Sequence, residues 1–167
     1  MYDKYLSRIK KEHYREPHGI HGISHVTRVL FHAGNIAKCY DLSDKEEQIL
    51  ALAVCYHDIG RVHNEWDKTH GLLSSRKVKK LGLLDSDGLT KEEKSLILKL
   101  ITAHSLDDEE FEGTEREVLL YHILKDADGL DRVRIFDLDP YYLRLPESRE
   151  VVDLAWALFL HHRSKGE

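Results

Sequence analysis

The sequence predicts an all-α fold in a single domain. Charged residues make up 33% of the 167-residue chain, and most of them alternate with apolar residues at helical spacing. Only three prolines and ten glycines interrupt these patterns. No change of composition divides the chain, and its length suits one domain with a sizeable core. We therefore expect residues 1–167 to form one helical bundle.

Composition also disfavours several classes of partner and location. The net charge of −5, without a basic run, argues against binding to nucleic acid or to an anionic membrane. No stretch is long enough to span a bilayer, and the N-terminus lacks the apolar core of a signal peptide, so a cytoplasmic protein is expected. Cys39 and Cys55 fit reduced core residues better than a disulfide or a structural zinc site. Twelve histidines are the one compositional anomaly.

The first forty residues predict two helices. A short helix is expected before a break at residues 17–22, and apolar residues then recur at helical spacing as far as Tyr40. Ser24 is the predicted N-cap of this longer helix, because its hydroxyl can accept a hydrogen bond from a backbone N–H of the first turn. His25 therefore opens the helix, and Arg28 lies one turn further on.

The next helix is apolar on every side, which predicts a buried central position. Ser43 and Glu46 form a predicted capping box at its start, and an almost unbroken apolar run then leads to His57 and Asp58. Gly60 is predicted to end the helix in the left-handed conformation. The histidine–aspartate pair is therefore expected in the last turn.

Four further helices complete the predicted bundle. Thr69 is expected to cap a helix from His70 to about Leu81, and two capping boxes, Thr90–Glu93 and Thr114–Glu117, are expected to open the next two helices. The last helix, at about residues 147–163, has a predicted core face made of Val151, Leu154, Ala155, Leu158 and Phe159.

Titratable residues stand among apolar neighbours in three of these helices. They are the pair His57 and Asp58, then His104, then Asp126. A buried carboxylate such as Asp126 needs a cation, an arginine or a shifted pKa. A divalent metal would satisfy all of these groups together, and histidine and carboxylate ligands suit Mn²⁺, Fe²⁺, Co²⁺, Ni²⁺ or Zn²⁺, with Mg²⁺ as an alternative. Ordinary structural hydrogen bonds in a helical bundle are the competing interpretation.

The order of these residues resembles a known family. His25 in Gly-Ile-Ser-His-Val, His57-Asp58 in His-Asp-Ile-Gly-Arg, and the run Asp-Ala-Asp-Gly-Leu-Asp that begins at Asp126 are similar to the signature of the HD superfamily of metal-dependent phosphohydrolases, over residues 21–132. The resemblance implies that His25, His57, Asp58 and Asp126 are the metal ligands. Asp126 is preferred to Asp128 because it lies on the apolar row, whereas Asp128 is expected to bond an arginine or solvent.

Two more histidines match secondary features of the superfamily. His70 and His104 correspond to residues that complete a second metal site in dinuclear subfamilies and face substrate phosphate in mononuclear ones. The sequence departs from the dinuclear HD-GYP pattern, because His104 lacks an adjacent second histidine. One metal ion is therefore favoured, with a second ion through His70 and His104 as the alternative. Each histidine could also have a purely structural role, in the core or at a helix start.

The resemblance implies hydrolysis of a phosphomonoester or a nucleotide by a metal-activated water. Asp58 would act as ligand and proton acceptor, and His104 and Arg61 would share catalysis and substrate binding. His70 and Arg28 are further expected substrate contacts, and Lys125 is a weaker one. The expected partner is a small phosphorylated metabolite or nucleotide, and a homo-oligomer is compatible with the sequence. The alternative function is non-hydrolytic, either di-iron oxygen chemistry or nucleotide-binding regulation.

Overall fold

The structure is a computed structural model that describes residues 2–164, and within this range every regular element is helical. The α-helices are α1 (Ile23–Ala37), α2 (Asp44–Tyr56), α3 (His70–Lys80), α4 (Lys91–Ala103), α5 (Glu115–Leu130), α6 (Pro146–Glu150) and α7 (Val152–Ser164). Short 3₁₀ helices span Tyr2–Arg8, Lys11–His13, Asp108–Glu110, Asp131–Ile135 and Pro140–Tyr142. The all-α prediction is confirmed. No helix among the described residues is long and apolar enough to cross a membrane.

The three predicted capping boxes are all present. Ser43, Thr90 and Thr114 each accept a hydrogen bond from the backbone N–H three residues on, and the glutamate there bonds back. These reciprocal bonds satisfy amides that a helix start otherwise leaves unpaired. They fix where α2, α4 and α5 begin.

Of the two other predicted caps, Ser24 is wrong, whereas Thr69 takes the N-cap position without the side-chain hydrogen bond. Gly22, rather than Ser24, is the N-cap of α1. Thr69 makes no side-chain cap at α3, because its hydroxyl and its N–H both donate to Asp67. Helix α1 begins at Ile23, two residues before the expected His25, and α3 begins at His70 as expected.

Helix α2 is the centre of the bundle, as its apolar sequence predicts. It packs against α1, α4 and α5, and every residue from Ile49 to Gly60 is buried. The helix therefore delivers His57 and Asp58 into the protein interior rather than to solvent.

Gly60 follows α2 for a reason different from the predicted one. Its backbone is not in the left-handed region, which among the described glycines is adopted by Gly82 and Gly88. A Cβ at Gly60 would instead lie 2.1 Å from the backbone nitrogen of Ser74. The Gly60 N–H donates to the Ser74 hydroxyl at 2.8 Å. Glycine is needed here because α3 approaches the end of α2 this closely.

The C-terminal part packs more loosely than the sequence predicts. The single helix expected at residues 147–163 is divided into α6 and α7. Of the predicted core face, Ala155 is fully buried, whereas Leu154 is 39% exposed. Met1 and residues 165–167 of the predicted domain lie outside the described residues.

We expect Gly60→Ala to destabilise the protein by about 3 kcal/mol or more, because the added methyl group meets backbone rather than a movable side chain. Gly129→Ala is the matched control. Its Cβ would meet only Leu143 Cδ2, at 3.4 Å, and alanine in a helix interior gains up to about 1 kcal/mol over glycine. Urea unfolding at pH 7 measures both variants. Equal stabilities would contradict the packing explanation.

His32 gives a second prediction. It is fully buried in α1, and neither ring nitrogen has a hydrogen-bond partner within residues 2–164. Burial lowers its pKa from 6.5 to about 4. As the pH falls below 6.5, His32 becomes protonated in the unfolded chain, whereas in the folded protein it stays neutral down to about pH 4. The free energy of unfolding therefore decreases as the pH falls from 6.5 to about 4.

Replacing His32 by phenylalanine should therefore remove about 3 kcal/mol of acid destabilisation between pH 7 and pH 4. The measurement is the free energy of unfolding at several pH values with a chelator present. His18→Phe, at an exposed position, should leave the pH profile unchanged. If the free energy of unfolding falls equally steeply between pH 7 and pH 4 in wild type and in His32→Phe, His32 does not cause the acid destabilisation.

Candidate metal centre

Six histidine and aspartate side chains from five helices converge at one point in the bundle. They are His25 in α1, His57 and Asp58 at the end of α2, His70 at the start of α3, His104 at the end of α4, and Asp128 in α5. All are buried except Asp128, whose side chain is 33% exposed. The centre therefore opens towards solvent at Asp128.

One group of ligand atoms surrounds His25. Its Nε2 lies 3.3 Å from His57 Nε2, 3.3 Å from Asp128 Oδ1 and 3.5 Å from Asp58 Oδ2. The ligand atoms of His25, His57 and Asp128 all lie within 4.8 Å of one another. This spacing allows a single cation to contact them together.

A second group lies against the other oxygen of Asp58. Asp58 Oδ1 is 3.3 Å from His70 Nε2 and 3.5 Å from His104 Nε2. The two Nε2 atoms of this pair are 2.9 Å apart. Asp58 thus stands between the two groups and presents one carboxylate oxygen to each.

All four histidines are anchored through Nδ1. The Nδ1–H of His57 donates to Val54 O at 2.7 Å, and that of His104 donates to Ile101 O at 2.6 Å. His70 uses the carbonyl oxygen of Asp67, and His25 uses Asp131 Oδ2 at 2.7 Å. Because Nδ1 carries the proton in each ring, Nε2 is left with a lone pair facing the centre.

This arrangement fits a divalent metal. Two neutral imidazole lone pairs repel each other when they meet at 2.9 or 3.3 Å, so each pair needs a cation or a proton beside it. Nitrogen and carboxylate oxygen donors are those that divalent transition metals take in proteins. The donor set on both sides of Asp58 therefore suits such an ion.

The pKa values agree with this charge state at His57 and His70, whereas at His25 the lowering by burial and Arg134 is outweighed by Asp131 and Asp58, which raise its pKa. Burial lowers the pKa of His57 and that of His70 to about 4, so both rings are neutral at pH 7. Burial alone would raise the pKa of Asp58, but its contacts with His57 and then with His104, His21 and His25 hold the pKa well below its usual range. Asp58 is therefore an ionised carboxylate beside the neutral imidazoles of His57 and His70.

Arg28 has a different role from the predicted one. Its Nε and Nη2 donate to the two oxygens of Asp131, at 2.6 and 3.0 Å, and the side chain is buried. Asp131 in turn holds His25. Arg28 is therefore a positioning residue for His25, and its predicted contact with substrate phosphate is wrong. Asp131, the last residue of the Asp-Ala-Asp-Gly-Leu-Asp run, was not among the predicted site residues.

Asp126 does not reach the centre, which corrects the predicted fourth ligand. Its oxygens accept hydrogen bonds from the backbone N–H groups of Arg144, at 2.9 Å, and Leu145, at 2.8 Å, and Arg144 Nη1 lies 3.2 Å away. Asp128, about 160° away around α5, faces His25 and His57 instead. The apolar row correctly predicted a buried carboxylate, but backbone amides are its partners.

A family model for the HD domain matches residues 22–133, about two thirds of the chain. The chain belongs to the HD domain family. HD domains form a superfamily of metal-dependent phosphohydrolases and bind divalent metals, so the resemblance in the sequence is confirmed. All six converging side chains of this HD domain fall within the matched residues. Searches among curated proteins and among solved structures found no match.

Arg61 of the HD domain contacts Asp58, with Nε at 3.2 and 3.3 Å from the two carboxylate oxygens. His21 Nδ1 bonds the same carboxylate at 2.9 Å. The cavity beside these residues has a volume of about 20 Å³, which holds roughly one water molecule. Arg61 is placed to neutralise Asp58, and its contact with substrate stays a prediction.

A much larger cleft, of about 440 Å³, opens at Asp128. It is lined by His104, Lys125, Asp128, Gly129, Arg132, Asp137, Leu138, Asp139, Tyr142, Leu143 and Arg144. Its size lies within the range typical of small-molecule sites. Of the predicted substrate contacts, His104 and Lys125 line this cleft, whereas His70 is buried behind Asp58 and His104.

Proposed function

We propose that this HD domain hydrolyses a small phosphomonoester or nucleotide with two divalent metal ions. The observation that supports this most directly is the pairing of imidazole lone pairs on both sides of Asp58. The Nδ1 atoms of the four histidines face outwards to carbonyl or carboxylate oxygens, and their four Nε2 atoms meet around Asp58, as they would around bound cations.

The two groups share Asp58. His25, His57, Asp58 and Asp128 would hold one ion, and Asp58, His70 and His104 would hold the other. The sequence favours one ion, because the dinuclear HD-GYP pattern is absent. The second histidine pair favours two metal ions, because the Nε2 atoms of His70 and His104 lie at least as close together as those of His25 and His57.

Bound divalent ions supply a hydroxide nucleophile at neutral pH and offset negative charge on a phosphoryl group. The protein supplies orientation. The anchored Nδ1–H groups hold the imidazoles in one tautomer, and Arg28 with Asp131 fixes His25. Substrate can approach through the cleft at Asp128, because the other residues of the centre are buried.

Oxygen chemistry at two iron ions would use the same ligands as hydrolysis. The choice between these two functions therefore depends on the residues that line the cleft. Its lining includes six charged side chains: Lys125, Asp128, Arg132, Asp137, Asp139 and Arg144. Such a surface suits a polar phosphate ester better than an apolar substrate of an oxidation reaction. Hydrolysis is therefore the better supported proposal.

Activity should be tested by resupplying metal-free protein with Mn²⁺, Co²⁺, Ni²⁺, Mg²⁺ or Fe²⁺ and measuring phosphate released from phosphomonoesters and nucleotides. We expect metal-dependent release by wild type and a loss of at least about 10³-fold in Asp58→Ala, because both ions lose their shared ligand. Metal analysis should give two ions per chain. Tight binding of two iron ions with oxygen consumption and no phosphate release would favour the alternative.

The fourth ligand is tested by two aspartates of the same helix. Asp128→Ala should weaken Mn²⁺ or Co²⁺ binding at least about tenfold, with little change in stability, because its side chain is partly exposed. Asp126→Ala should keep metal affinity but lower stability by about 2 kcal/mol, because buried backbone amides lose their acceptor. Calorimetric titration and urea unfolding measure the two effects. Loss of metal from a folded Asp126→Ala protein would restore Asp126 as the ligand.

A further inference from the structure

The charges and the aromatic wall of the cleft narrow the substrate class. We infer that the cleft takes a monoester with one phosphate and a planar, uncharged ring, as in a nucleoside monophosphate, and gives no advantage to a second phosphate. This inference rests on the proposed function, since it assigns the substrate of the same site.

Two of the basic side chains on the cleft wall are already bound to a carboxylate of the protein. Lys125 Nζ lies 2.8 Å from Asp108 Oδ1. Arg144 donates to both oxygens of Asp108 at 2.8 Å, through Nε and Nη2, and its Nη1 lies 3.2 Å from Asp126. The Asp108 carboxylate therefore lies where a phosphate group bound by these two cations would lie.

The third cation is paired as well. Arg132 forms an ion pair with Asp137, which also lines the cleft. Asp139 is the remaining acidic residue of the wall, and its Oδ1 accepts a hydrogen bond from the Tyr141 N–H at 2.9 Å. Within the described part of the chain, the cleft thus has no lysine or arginine without a carboxylate partner.

A substrate with one phosphate needs no such cation. The proposed metal centre lies at the end of the cleft marked by Asp128 and His104, and it supplies the positive charge for the reacting phosphoryl group. A second phosphate would lie against paired cations and against Asp137 and Asp139, so its desolvation would not be offset by a free charge.

The rest of the wall suits a flat ring. Leu138, Leu143 and Tyr142 line the cleft, and Tyr142 is 73% exposed. Its ring meets the Tyr141 ring edge to face, with centroids 5.9 Å apart and planes at 83°. A contact of this kind covers at most one face of the Tyr142 ring. The other face is open to stack on a base, and such stacking tolerates different bases.

The first measurement compares ligands on metal-loaded protein. Calorimetric titration with adenosine monophosphate, adenosine diphosphate and ribose 5-phosphate is run beside phosphate release from each. Adenosine monophosphate should bind about tenfold more tightly than ribose 5-phosphate, because only the nucleotide can stack on Tyr142. The diphosphate should bind no more tightly than the monophosphate.

Three variants separate the stacking and the charge effects. Tyr142→Ala should remove the roughly tenfold advantage of the nucleotide and leave ribose 5-phosphate unchanged. Tyr141→Ala is the matched control, because Tyr141 is 84% exposed and does not line the cleft. Asp137→Ala frees Arg132 and should improve binding of the diphosphate relative to the monophosphate.

The outcomes distinguish this inference from the proposed function. Equal affinity for adenosine monophosphate and ribose 5-phosphate, or tenfold tighter binding of the diphosphate, would overturn the inference even if phosphate is released from all three. Selective binding of the monophosphate without release at any metal would uphold the inference and overturn hydrolysis. Failure of all three ligands to bind, with metal-dependent phosphate release from other phosphomonoesters of the panel, would overturn the inference and leave hydrolysis supported.

Discussion

The buried carboxylate of Asp58 is the constraint on which the rest of the structure depends. An ionised carboxylate inside a protein is costly unless its surroundings replace the lost water. Here His21 and Arg61 bond it from one side, and on the other side the Nε2 atoms of His25, His70 and His104 lie within 3.5 Å, where they could hold a cation together with it. The bundle can be understood as the arrangement that brings these partners to one oxygen pair. From Ile49 onwards α2 is apolar on every side, which lets it cross the protein interior, and Asp58 directly follows its C-cap His57 there.

The ends of helices provide the histidine geometry. His57 and His104 are the C-cap residues of α2 and α4, and each donates from Nδ1 to the carbonyl oxygen three residues earlier. Carbonyl groups in a last helical turn lack intrahelical partners, so the ring satisfies one of them and is locked in one tautomer. His25 lies in the first turn of α1, where no preceding helical carbonyl is available. Its Nδ1 needs a partner from elsewhere, which is Asp131 held by the buried Arg28.

Local rules in the sequence predicted much of this structure. Capping boxes depend on residues three apart, and the motif order depends on residue identity, so the helix starts and His25, His57 and Asp58 could be proposed before any coordinates. The choice between Asp126 and Asp128 could not, because helical periodicity reports burial and not the partner. The amides that satisfy Asp126 belong to Arg144 and Leu145, which reach it only through the fold. Gly60 is similar, since its requirement comes from α3 packing and not from its own turn.

The two aspartates of α5 connect the metal centre to the cleft. Asp128 faces His25 and His57, whereas Asp126 accepts a hydrogen bond from the backbone N–H of Arg144, which lines the cleft. The two aspartates are two residues apart on one helix, so the helix backbone fixes the distance between the proposed metal centre and the cleft wall at Arg144. Arg144 continues this link, because it contacts Asp126 and also binds Asp108. The ion pairs that build the wall are the same ones that leave its cations occupied. Rigidity of the wall and its lack of free positive charge thus have one physical cause, and under the proposed function the charge of a substrate would be met at the metal centre.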